Sequence, residues 1–130
     1  MNNMKYWIVV FLVSSLYACS SSGKLNNNQL RGRLVISELC AHYVVEIVSG
    51  KIDASKVAAN WKDEKRNQTY KQSFSIANRC SFGNIGLKEG DEFTFVVDDG
   101  SPEETCAVCM AYYPTPSQSL HIKDIKKTEP

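Results

Sequence analysis

The sequence predicts an all-β domain, a small barrel or sandwich of five to six strands. Three observations lead there. From Arg31 onward apolar residues alternate with polar ones instead of recurring at a helical period. The runs are short, rich in β-branched and aromatic residues, and separated by turn chemistry such as Ser49-Gly50 and Asp98-Asp99-Gly100. The chain has 130 residues, enough for one such domain and no more.

The first strand is RGRLVIS (31–37), short and β-branched. HYVVEIVSG (42–50) follows, with Tyr43, Val45 and Ile47 on one face. QSFSIANRC (72–80) sets Phe74 and Ile76 together and Ser73, Ser75 and Ala77 opposite. DEFTFVVDDG (91–100) sets Phe93, Phe95 and Val97 on one face, and SLHIKDIKK (119–127) closes the domain with Leu120 and Ile122 inward. Residues 51–70 admit two readings. Val57 and Trp61 fit a helical turn begun by Ser55, or VAANWKD is a strand that turns through EKRNQ into the next. The strand is preferred, because Trp61 and Tyr70 make good cross-strand partners.

The N-terminal residues read as an address. Lys5 gives a basic start, and Tyr6 to Leu16 form an apolar core too short to span a bilayer as a permanent helix. The next four residues, LYAC (16–19), resemble the lipobox of bacterial lipoproteins, with Leu16 at −3, Ala18 at −1 and Cys19 at +1; Tyr17 at −2 is bulkier than usual. The resemblance implies a signal peptide over 1–18 and lipidation, palmitate included, at Cys19. Several acyl chains on one residue anchor a protein stably. Ser20 at +2 implies the outer membrane, and a following SSSGK run without acids implies a periplasm-facing position. Residues 19–30 then comprise the lipidated cysteine and a flexible tether, 31–127 the domain, and 128–130 a tail.

Without Lys5 the basic residues equal the 14 acidic ones. A balanced charge argues against a nucleic-acid partner, which selects an excess of Lys and Arg.

The order of signals, with GDEFTF, CAVCMAYYPTP and the terminal LHIKDI, resembles OB-like barrels of small uncharacterised lipoproteins of the Bacteroidetes type. The resemblance covers residues 31–127 and implies a fold and a location, not an activity. OB barrels usually carry a helix between the third and fourth strands, whereas FGNIGLKEG leaves room for one turn at most.

With Cys19 lipidated, Cys40, Cys80, Cys106 and Cys109 remain. An OB topology brings their three connections to one end of the barrel, beside His42, only if residues 51–70 add no extra reversal; a full additional strand there is expected to send Cys80 to the other pole. Three readings stand. Two structural disulfides, for instance Cys40–Cys80 and Cys106–Cys109, suit an oxidising compartment. A metal site on the four thiols suits zinc, while Cys109, Met110 and His42 suit Cu(I). A redox-active Cys106-x-x-Cys109 needs its first cysteine at a helix N-terminus, and strands and prolines surround this one.

Catalytic patterns are absent. His42 and His121 are the two histidines, and there is neither a Ser-His-Asp order nor an HExxH motif. The carboxylates of DDGSPEE (98–104) are hard ligands suited to calcium, but their spacing is not that of an EF-hand. Tyr112 and Tyr113, with Pro114 and Pro116, either grip a partner or a sugar ring or cap the mouth of the barrel. The expectation is therefore a non-enzymatic, lipid-anchored envelope module. It needs no cofactor, and its partner is an envelope protein or a glycan. The rival is a thiol-based metal or redox protein using Cys106 and Cys109.

Overall fold

A computed structural model describes residues 25–129; the leader, the lipobox and Cys19 lie outside the described residues. The fold is nearly all-β. Its strands are β1 (Leu30–Glu38), β2 (His42–Ser49), β3 (Ala58–Asp63), β4 (Gln68–Ile76), β5 (Glu92–Val97), β6 (Ser119–Leu120) and β7 (Ile122–Lys127). One helical turn, α1 (Arg79–Gly83), lies between β4 and β5. The turn is as short as expected but begins earlier, in RCSFG, and overlaps the FGNIGLKEG stretch only at Phe82 and Gly83. Cys80 therefore belongs to this turn and not to the end of the preceding strand, which stops at Ile76.

Seven strands stand where five to six were expected: the Trp61 segment is the sixth, and the split of the closing strand at His121 into β6 and β7 adds the seventh. Trp61 pairs with Tyr70 across β3 and β4, with ring centroids 5.9 Å apart and an interplanar angle of 20°.

The order β3-β4-β2-β1-β5-β7 forms one sheet, and β6 pairs with β4 in parallel through Ser75–Ser119 and Ile76–Leu120. Because β6 and β7 are nearly continuous, the circuit of pairings returns to β4. β3 and β6 share one edge of that strand, β3 along its first half and β6 along its last residues. β2 and β3 are both antiparallel to β4, so they run the same way, and residues 50–57 carry the chain back between them. The expectation that a full extra strand sends Cys80 to the other pole is thus corrected: β3 adds no net reversal, and the end of β4 stays beside the start of β2, with Val44 opposite Ser75.

The main core contains Leu34, Val45, Ile47, Phe74, Ile76, Phe82, Phe93, Phe95, Leu120 and Ile122, all buried. All but Leu34 and Phe82 lie on the faces that alternation selected. Gly32 is required where β1 passes Phe95 and Val45, since a Cβ there would sit 2.6 Å from Val45 Cγ1.

A second cluster, Ile36, Val44, Tyr70 and Tyr113, packs with Val35 and Trp61. Adjacent strand residues point to opposite faces, so Val44 and Val45 serve the two clusters separately. A register shift between Leu34 and Ile36 lets Ile36 face Val44 while Leu34 faces Val45. In β4, Gln72 adopts φ 45° and breaks the alternation, so Tyr70 and Phe74 fall into different clusters.

Candidate functional site

The connection from Asp98 to Gln118 has almost no regular structure, and it is tied back to the sheet and to α1 at Glu104, Cys106, Cys109, Ala111 and Tyr113. Cys40 bonds Cys109 and Cys80 bonds Cys106, with Cα–Cα distances of 4.9 and 6.4 Å. All four cysteines do gather at one end, but the pairing Cys40–Cys80 with Cys106–Cys109 is corrected. Each member of the CxxC reaches a different turn of the sheet, because the segment passes between the β1–β2 turn and α1 and meets each in succession.

The β1–β2 turn is strained where it receives this loop. Cys40 and Ala41 both lie in the left-handed region, with φ of 66° and 58°. That conformation disfavours residues with a Cβ by about 1–2 kcal/mol each. The cross-link at Cys40 and a bond from the Ala111 N–H to Cys40 Sγ, 3.2 Å, hold the turn there. His42, at the first position of β2, donates from Nε2 to the Ala111 carbonyl at 2.8 Å. Its role is to seat the loop.

Glu104 fastens the other side. Its carboxylate accepts the N–H groups of Cys80 at 2.8 Å and Ser81 at 3.2 Å, the exposed donors at the start of α1. Burial, the largest single influence, opposes its ionisation. The bonds from Ser81 and Cys80 and the nearby His121 outweigh it, so its carboxyl sits below the usual range.

The tyrosine pair splits. Tyr113 is buried, and its hydroxyl donates to Asp63 Oδ2 at 2.6 Å. Asp63 is fully buried at the end of β3 and also accepts the N–H groups of Lys65 at 2.9 Å and Arg66 at 3.3 Å. Burial and the carboxylate bond push the Tyr113 phenol up to about 12. The Lys65 ammonium lies 4.8 Å from its ring centroid. Arg66 completes the group by pairing with Glu38 and Glu89. Tyr112 is 80% exposed. One tyrosine is thus a bolt and its neighbour is free to make contacts.

Sequence reading missed the bolt. The available signal was the unbroken apolar run Leu34-Val35-Ile36 beside Val44-Val45, the mark of strands covered on both faces.

Two surface features result. The first is an apolar tip. Leu39, Val108, Met110 and Tyr112 are four of the six exposed large hydrophobic residues among those described. The first three stand next to Cys40 or Cys109, so one cross-link holds the tip together. The second is a cleft of about 470 Å³ bordered by His42, Tyr43, Arg79, Glu103, Tyr112 and His121.

Metal-ligand chemistry meets an obstacle at the cysteines. Cys80 Sγ, Cys106 Sγ and a Glu104 oxygen lie within 4.8 Å of one another. The two sulfurs are bonded to each other, however, and the thiolate is the form that binds zinc or Cu(I). Met110 is 98% exposed. The acids of 98–104 do not pool into a calcium site. Asp98 accepts from Ser101 and faces Lys123, Asp99 pairs with Lys56 at 2.8 Å, and Glu104 holds α1.

Neither a protein-family model, a curated protein nor a solved structure matches this chain.

Proposed function

We propose that the protein is a lipid-anchored, non-enzymatic binding module of the cell envelope, and that it makes contact through its stapled end. In this reading Cys19 carries the anchor in the outer membrane on the periplasmic side. The circuit of strand pairings is a small OB-like barrel, and an envelope protein or glycan is the partner.

The observation that carries it is the concentration of exposed apolar side chains on two segments joined by Cys40–Cys109. Apolar side chains gathered at one exposed site mark an interaction surface more often than a chance of packing. A covalent staple adds a reason: it holds these side chains in place before any partner arrives, which lowers the entropy lost on binding. The tether supports the same geometry. β1 carries the chain through nine residues from Leu30 to Glu38, about 30 Å of strand, so the tip lies at the opposite end of β1 from the point where the tether enters the domain.

The test places a photo-reactive amino acid at position 39 or 110 in the anchored chain, with position 48 at the far end of β2 as control. Cross-links to an envelope component from the first two and none from the third are expected. Equal labelling from all three, or none from any, contradicts the reading. Labelled palmitate that still enters a Cys19→Ala variant contradicts the anchor.

A further inference from the structure

The cleft meets the apolar tip at Tyr112, and the chemistry of its other walls narrows the ligand. Arg79 and Glu103 both border it and form no ion pair among the described residues. Glu104 and the two histidines line it too. A strongly anionic ligand meets two carboxylates there, and a cation meets an unpaired guanidinium. The lining mixes these charged groups with Tyr43, Ile76 and Tyr112, which suits a ligand with both an apolar face and polar edges. What remains is a neutral ligand that offers many donors and acceptors.

Tyr112 supplies the other half of the argument. Its ring is exposed, yet both neighbours are fixed: Ala111 by His42 and Cys40, and Tyr113 by Asp63. An aromatic face held at the rim of a cleft loses little freedom when a flat, weakly polar ring stacks on it. The Arg79 fork donates in a plane, and the Glu103 carboxylate accepts in one. A stacking face beside a planar donor and a planar acceptor matches a saccharide ring, with one apolar face and an edge of hydroxyls. The volume is within the range of small-ligand clefts.

We infer that this cleft binds a neutral saccharide, with Tyr112 as the stacking face and Arg79 and Glu103 as the hydroxyl-reading pair. The inference rests on the binding-module reading and names its ligand class. Such a glycan has two sources, an acetamido-bearing wall backbone or a plain glucan. The probes are therefore chitotetraose and cellotetraose, which share a linkage and differ in the acetamido group.

The experiment is saturation-transfer NMR on the full chain in a non-glycosidic detergent. Transfer to at least one tetrasaccharide is expected, and the preferred one identifies the source. Tyr112→Ala and Arg79→Ala should each weaken binding by about tenfold or more with Tm unchanged. No transfer to either sugar, or binding unweakened in either variant, overturns the saccharide. Cross-links from positions 39 and 110 are scored separately: if they persist while both sugars fail, the saccharide is wrong and the binding module stands.

Discussion

Around Phe74 and Phe95 the chain is held by side chains from several strands packed against one another. Between Asp98 and Gln118 it is held by two cross-links, a buried tyrosine and a few hydrogen bonds. The first region spreads its stability over many small dispersion and hydrophobic contributions. The second concentrates it at a few points. The difference teaches why the exposed tip needs sulfur. A segment that leaves Met110 and Tyr112 to solvent cannot bury enough apolar surface to hold itself in place.

The strongest way to break the comparison is in the core. Phe95→Ala should cost about 3–5 kcal/mol, measured by denaturant unfolding, and should unfold both regions in a single transition. Cutting one staple should act more locally. Cys40→Ser with Cys109→Ser should cost about 2–4 kcal/mol, because the bond spans a separation of 69 residues and restricts the unfolded chain. The strand signal in circular dichroism should survive at room temperature while the tip becomes open to proteases.

The bolt is weaker than the staple. Tyr113→Phe leaves Asp63 buried with one donor fewer, at a cost of about 1–3 kcal/mol. Its titration gives a second readout. The folded phenol titrates near 12 against an ordinary value of 10.0, so the unfolded chain loses that proton first. The stability it contributes is complete below pH 10.0 and is lost as pH rises toward about 12. Unfolding free energy should fall across that window in the wild type and lose this component of its slope in Tyr113→Phe. The smallest effect belongs to the neighbouring ring. Tyr112→Ala should change stability by no more than about 0.5 kcal/mol. A large drop in Tm for that variant would erase the distinction between bolt and contact.

Much of the sheet was legible before any coordinates. Val45 with Ile47, Phe74 with Ile76, Phe93 with Phe95 and Leu120 with Ile122 each share a buried face, because alternation is a local property of strands. Trp61 with Tyr70 was legible for a different reason, the fit of two aromatic rings as a cross-strand pair. The second cluster was not, since it depends on a register shift at Val35 and a left-handed Gln72. At the candidate site, the gathering of the cysteines was legible only on the condition that residues 51–70 add no reversal, and their partners were not legible: four cysteines admit three pairings, and distance in space decides among them. Likewise nothing local separates Tyr112 from Tyr113. Asp63, fifty residues earlier, does.

The pairing of the cysteines is the claim on which the stapled end depends, and one digest tests it. Trypsin, applied without reductant after thiol blocking, places Cys40 in peptide 34–51, Cys80 in 80–88, and both Cys106 and Cys109 in 89–123. The described linkage predicts a single three-peptide assembly, and a further cut between Cys106 and Cys109 should divide it into Cys40–Cys109 and Cys80–Cys106. A free 89–123 peptide carrying its own internal bond, or blocked thiols at any of the four positions, would contradict it.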